Sequence, residues 1–128
     1  MNLIEIITSS ILFLAIDSVY LTSSANHFNK LITKIQGQSL KLDFVATGLC
    51  YLFLVIGLNY FIISQRKSIW DAMLFGLVVY GVYETTTKAT LRKWDWQTVL
   101  MDTAWGGILF ALTTIITYHL LNIDYVWY

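Results

Sequence analysis

The 128-residue sequence contains no proline and only one cysteine. Without proline, no helix has to carry a proline kink. Cys50 has no second cysteine for an intrachain disulfide bond, and the apolar run around it predicts burial. HExxH and CxxC spacings and a glycine-rich phosphate loop are also missing. The sequence therefore predicts neither a metal site nor a cofactor site.

Charge is scarce as well. Only 12% of the residues are charged and the formal net charge is zero. With no basic stripe and no aromatic RNA-binding motif, the chain is not expected to bind nucleic acid. In contrast, 57% of the residues are hydrophobic and the mean hydropathy is +0.64, whereas a soluble domain is about 45–50% apolar and about 25% charged. This composition predicts an integral membrane protein whose first partner is the lipid bilayer.

Four apolar segments approach or exceed the length of about 20 residues that a helix needs to cross the hydrocarbon core. The first lacks a basic start and carries Glu5, so we interpret it as a retained span and not as a signal peptide. Only residues 65–68 separate the second and third segments, which makes these spans antiparallel neighbours. We predict one all-α domain, residues 1–128, folded as a four-helix bundle with spans at residues 3–22, 43–64, 69–89 and 98–121.

Residues 23–42, between the first two spans, are polar overall but contain apolar residues at helical spacing. Two interpretations stay open: a short amphipathic helix at the membrane surface, or an ordinary solvated loop. The connection after the third span holds Trp94 and Trp96, which we interpret as anchors at the membrane–water interface. The apolar positions between the first two spans are Phe28, Leu31, Ile32 and Ile35, with Lys30 and Lys34 among them.

The distribution of lysine and arginine predicts the orientation of the chain. The ends of the spans that lie away from the N-terminus carry six basic residues, whereas the other side has only Arg66 and Lys67. The positive-inside rule makes the richer side cytoplasmic, so both termini of this multi-pass protein are predicted to be non-cytoplasmic. The six residues are Lys30, Lys34, Lys41, Lys88, Arg92 and Lys93.

Three carboxylates lie within the apolar spans. Asp17 is late in the first span, Glu84 is late in the third and Asp102 is early in the fourth, so all three fall in the cytoplasmic half of the bilayer. A charge near a span centre costs roughly 2.5–3.5 kcal/mol on insertion scales. We therefore expect the three acids to face one another inside the bundle, with some of them protonated or with Lys88, at i+4 from Glu84, as the counter-charge.

Hydroxyl and indole groups accompany these acids and complete a candidate ligand-binding site. Tyr80, Tyr83 and Thr87 can donate hydrogen bonds to the carboxylates, and Trp105 shares a helical face with Asp102. The structural alternative is that such groups hold helices together, each contributing about 0.6–2 kcal/mol. The candidate residues are Asp17, Tyr80, Tyr83, Glu84, Thr87, Lys88, Asp102 and Trp105.

Three motifs give the chain a resemblance to a known family. They are Asp-Ser-Val-Tyr at residues 17–20, Tyr-Gly-Val-Tyr-Glu-Thr-Thr-Thr at 80–87 and Asp-Thr-Ala-Trp-Gly at 102–106. In this order the sequence resembles the DUF2177 family of small predicted membrane proteins. Tyr20, Glu84 and Thr87 stand where the family pattern has Trp, Asp and Asn. The resemblance implies a four-span α-helical fold, marks the same three carboxylates and brings no established activity.

Three functions are compatible with this sequence. The first is binding or translocation of a small cation, a proton or a polar lipid head group at the carboxylates. The second is a structural subunit of a larger membrane assembly or a homo-oligomer, in which the polar cluster only joins helices. The third is a lipid-phase enzyme with Glu84 or Asp102 as acid/base. Its proton donor would be Tyr80 or Tyr83. The residue pattern ranks binding first.

Overall fold

The structure is a computed structural model that describes residues 1–125, and these residues form α-helices without any strand. The all-α prediction is confirmed. The helices are α1 (Leu3–Gln36), α2 (Phe44–Leu58), α3 (Ile69–Thr90) and α4 (Trp96–Leu120), and α2 continues directly into a π-helical turn, Asn59–Ile63.

Each α-helix begins at a polar side chain that accepts a hydrogen bond from a backbone N–H of the first turn. This satisfies a donor that has no partner inside the helix. The cap of α4, Asp95, accepts from Thr98 N at 2.7 Å. α1 ends at Gly37, whose φ of 76° lies in the left-handed region that glycine adopts without a steric cost. The four N-caps are Asn2, Asp43, Ser68 and Asp95.

α1 is longer than a membrane span. Its 34 residues extend for about 51 Å, against about 30 Å of hydrocarbon. The predicted break after residue 22 is absent: residues 23–36 are helical but continue α1, and neither a loop nor a separate interfacial helix is present there. Leu31 on this extension is buried against Trp94 and Val99. The apolar face of residues 23–36 thus packs against protein, and its burial does not require the membrane surface.

Three helices among the described residues have the length and composition of membrane spans: Leu3–Gln36, Phe44–Ile63 and Trp96–Leu120. α3 has 22 residues, which is also long enough. It is less apolar because it carries Asp71, Glu84 and Lys88. The chain is therefore an integral membrane protein with three helices of clear spanning character.

α3 and α4 form the largest helix–helix contact, and glycines make it close. A Cβ atom at Gly76 would lie 2.2 Å from Gly106 O, and one at Gly106 would lie 2.3 Å from Cγ of Tyr80. Small residues of this kind let helix backbones approach each other in a bilayer. The close packing therefore fixes the polar side chains of α3 in position relative to those of α4.

α2 lies at the side of the bundle and packs mainly on α1. Only Val55 and Leu58 of α2 are buried, and Tyr51 meets Phe13 of α1 edge to face at 6.1 Å. At the end of the bundle that holds the N-terminus, Arg66 forms a two-pronged ion pair with Glu5, with N–O distances of 2.7 and 3.0 Å. This pair joins the turn after α2 to the start of α1.

Candidate functional site

A reciprocal pair of hydrogen bonds joins α1 to α4 in the half of the bundle opposite the N-terminus. Trp105 Nε1 donates to Oδ1 of Asp17 at 2.9 Å, and the hydroxyl of Tyr20 donates to Oδ1 of Asp102 at 3.0 Å. In both helices the acid precedes the aromatic donor by three residues, so both lie on one face. Since the helices are antiparallel, each aromatic donor meets the other helix's acid.

The two donor rings also contact each other. Tyr20 and Trp105 stack with their centroids 4.6 Å apart and their planes within 5° of parallel. Asp17 receives a further hydrogen bond on Oδ2 from the hydroxyl of Tyr51 on α2. Both oxygens of Asp17 therefore have donors, which is the arrangement that a buried carboxylate needs.

Glu84 is fully buried and only half satisfied. Trp94, in the connection between α3 and α4, donates its Nε1 hydrogen to Oε1 of Glu84 at 2.8 Å. Within the described residues 1–125, no group donates a hydrogen bond to Oε2 of Glu84. An unpaired oxygen in such a position costs free energy unless something else binds to it.

The neighbour of Glu84 across the α3–α4 contact is another acid. The side chains of Glu84 and Asp102 lie within hydrogen-bonding reach of each other. Two ionised carboxylates both accept and cannot hydrogen-bond, so a bond between these groups requires a proton on one of them. The arrangement can hold one proton between two buried carboxyl groups.

The extension of α1 makes a third hydrogen bond to α4 beyond these acids. Nε2 of His27 lies 2.7 Å from Oγ1 of Thr98, which is fully buried. Hydrogen bonds from Thr98 lower the pKa of Asp95, the N-cap of α4, because they favour its ionised form. The start of α4 is thus joined to α1 through polar groups as well as through Leu31.

The structure brings together five of the eight candidate residues: Asp17, Tyr80, Glu84, Asp102 and Trp105. Tyr80 packs its ring against Gly106 and is within electrostatic reach of Asp17 and Asp102. The other three candidates, Tyr83, Thr87 and Lys88, have different surroundings.

Lys88 forms no ion pair with Glu84, so of the two alternatives that the sequence leaves open, the counter-charge from Lys88 is wrong. Its Nζ lies 3.3 Å from the carbonyl oxygen of Arg92 and 5.7 Å from the centre of the Trp96 ring. Thr87 is not a donor to the acids either, because its hydroxyl donates to the backbone oxygen of Tyr83. Tyr83 itself is 59% exposed. Thr87 and Lys88 are half-buried, and their polar atoms contact backbone oxygens and not the acids.

Most of the hydrogen-bond donors to the acids were missed from the sequence. Tyr20, Tyr51 and Trp94 are not among the candidate residues, and the interpretation of Trp94 as an interfacial anchor is wrong. Trp94 is 5% exposed, whereas Trp96 is 62% exposed and fits the anchor role. A usable pattern was present: the same Asp-x-x-aromatic spacing occurs at residues 17–20 and 102–105. In antiparallel helices that repetition places each aromatic beside the other acid.

The geometry is less suited to a metal ion. No group of three or more His, Cys, Asp or Glu residues within residues 1–125 could hold one. Asp17 already accepts hydrogen bonds on both oxygens, from the hydroxyl of Tyr51 and from Nε1 of Trp105. The site therefore consists of one carboxyl pair and a third acid linked to it through Tyr20 and Trp105.

The family described as "Predicted membrane protein (DUF2177)" matches residues 2–119, which include all the side chains described above. No curated protein and no solved structure matches this chain.

Proposed function

The chain belongs to the DUF2177 family of membrane proteins, whose function is unknown, and on that premise we propose that it binds a proton between Glu84 and Asp102. One observation carries the proposal: in the part of the chain that the structure describes, Oε2 of the fully buried Glu84 has no donor, while a second carboxyl group lies within hydrogen-bonding reach. Two carboxyl groups at such a short distance in an apolar interior are not both ionised, because their like charges repel. A shared proton removes the repulsion and supplies the missing hydrogen bond.

A proton suits this site better than a metal ion or a lipid head group. The hard cations Ca²⁺ and Mg²⁺ take six or more oxygen ligands. The site, however, offers only one carboxyl pair. All three acids are buried and covered by aromatic rings, which leaves little room for a head group. An acid/base enzyme has less support, because Tyr83, one of its two candidate proton donors, lies largely exposed beside the buried Glu84.

Infrared spectroscopy of the purified protein in detergent tests the proposal directly. A protonated carboxyl group has a C=O stretching band separate from that of carboxylates, and we expect this band at neutral pH. Glu84→Gln should abolish it, whereas Asp102→Asn should shift its frequency, because Glu84 would then face an amide group in place of a carboxyl group. Asp124→Asn, a change at an exposed residue, should leave the band intact. A wild-type spectrum with no such band contradicts the proposal.

We also propose that α3 is a fourth membrane span and that the carboxyl pair lies towards the cytoplasm. α3 runs antiparallel to α4 along their close contact, and its length matches the hydrocarbon core. The six basic residues near the far ends of the spans support a cytoplasmic location for that end. A reporter fused to the C-terminus should give a non-cytoplasmic signal, and a strong cytoplasmic signal would reverse this orientation.

A structural role in a larger assembly is the second candidate function, and the exposure of α2 favours it. Phe44, Val45 and Phe53 of α2 are each at least 71% exposed, so this helix offers an apolar face to lipid or to a partner. Purification in mild detergent distinguishes the two candidates. A monomer that retains the protonated-carboxyl band supports proton binding, whereas a stable assembly without the band supports the structural role.

A further inference from the structure

The extension of α1, residues 23–36, packs over the proton site through Trp94. Phe28 lies 6.4 Å from Trp94, measured between ring centres, and Leu31 packs against the same indole ring. Trp94 in turn donates to Glu84. A chain of contacts thus leads from the part of α1 beyond the predicted span to the buried acid.

We propose that Phe28 and Leu31 are positioning residues that hold Trp94 over Glu84 and so control how fast the shared proton exchanges with the cytoplasmic side. This inference rests on the proposed proton site and adds its regulation. Glu84 is fully buried and Trp94 is 5% exposed, so water reaches Glu84 from this direction only when the indole moves. The indole packs with Phe28 and Leu31 of α1 and with Val99 near the start of α4.

Two polar contacts fix the extension in place. His27 reaches Thr98 at the start of α4, and Nζ of Lys93, next to Trp94, lies 3.5 Å from the carbonyl oxygen of Lys34. The connection that carries Trp94 is short, since α3 ends at Thr90 and α4 begins at Trp96. Loosening the apolar contacts should therefore free Trp94 locally while the bundle stays folded.

Exchange of the shared proton for deuterium measures this control. After transfer of the purified protein into D₂O, the C=O band of the protonated carboxyl group shifts as its proton is replaced. We expect Leu31→Ala to speed this shift at least about tenfold, because it removes much of the packing that holds the indole. Leu31→Met, which conserves volume, should keep the slow rate.

The matched control is Leu21→Ala, the same substitution ten residues earlier on α1 at a position that is 46% exposed. It should leave exchange unchanged. Phe28→Leu is a second, milder variant, to be used if Leu31→Ala does not fold. It should also speed exchange. Absence of the band in the wild type overturns the proton site and this inference together. A normal band with equal exchange rates in Leu31→Ala, Phe28→Leu and Leu21→Ala overturns this inference alone.

Discussion

Tyr20 on α1 and Trp105 on α4 stack face to face, 4.6 Å apart, and each donates a hydrogen bond to the acid of the opposite helix. The stacked rings therefore fix the positions of two buried carboxylates at once. This relationship gives a physical reason for an Asp-x-x-aromatic motif in both helices. An aromatic residue at either position must supply a flat ring and a hydrogen-bond donor together.

The first prediction concerns the donor on Trp105. Trp105→Phe keeps a ring for stacking but removes Nε1, which leaves Oδ1 of Asp17 without its donor. A buried acceptor without a partner costs about 1–3 kcal/mol, so we expect the free energy of unfolding to fall by about that amount. Thermal unfolding in detergent measures the change.

Trp70→Phe is the control for that experiment, because Trp70 is 66% exposed and lies in the first turn of α3, at the end of this helix away from Glu84. We expect it to change stability by no more than about 0.5 kcal/mol. Equal effects of the two substitutions would show that the Asp17 hydrogen bond contributes nothing measurable.

The second prediction compares two tryptophans that are only two residues apart. Trp94→Phe removes the donor to Oε1 of Glu84 and should lower the free energy of unfolding by about 1–3 kcal/mol. Trp96→Phe changes an exposed ring and should have an effect near zero. A larger loss for Trp96→Phe than for Trp94→Phe would contradict the burial of Trp94.

The helices and the level of the three acids could be predicted from the sequence because both depend on local properties. Apolar length predicts a span, and the position of an acid within a span gives its depth. Asp17, Glu84 and Asp102 accordingly come from three helices to one region of the bundle. No contact between distant residues has to be known for these two predictions.

The partners of the acids could not be predicted because they depend on how the helices rotate against one another. The i+4 spacing offers Lys88 as one of two alternatives for balancing Glu84, yet the donor to Glu84 is Trp94, which folds back from the next connection. The continuation of α1 was missed for the same reason. Its polar composition suggested a separate segment, but Leu31 is covered by Trp94 and Val99, which lie about sixty residues later in the chain.

The third prediction concerns the contact between α3 and α4. Gly76→Ala places a methyl group 2.2 Å from the carbonyl oxygen of Gly106, and backbone cannot give way as a flexible side chain can. We expect separation of the two helices and a loss of at least about 1–3 kcal/mol. Such a separation should also weaken the Glu84–Asp102 contact and reduce the protonated-carboxyl band.

Gly48→Ala on α2 is the matched control, since nothing lies within 4 Å of a Cβ atom there. Alanine favours a helix over glycine by about 1 kcal/mol, so this variant should be as stable as the wild type or more so. If Gly76→Ala were equally stable, the close approach of α3 and α4 would be contradicted.

The fourth prediction uses the pKa of Asp95, which lies outside the spans and is lowered in the folded protein by its hydrogen bonds from Thr98. A carboxyl group with a folded pKa below its unfolded pKa stabilises the fold above the unfolded value. That contribution disappears as the pH falls through the folded pKa. Asp95→Asn can still cap α4 but does not titrate, so the difference in unfolding free energy between it and the wild type should be largest at neutral pH.

Chemical unfolding measured from neutral to acid pH should show that this difference shrinks. Asp95→Ala is the control: it loses the cap altogether and should stay less stable than Asp95→Asn at every pH. A constant difference between wild type and Asp95→Asn over this range would contradict the lowered pKa.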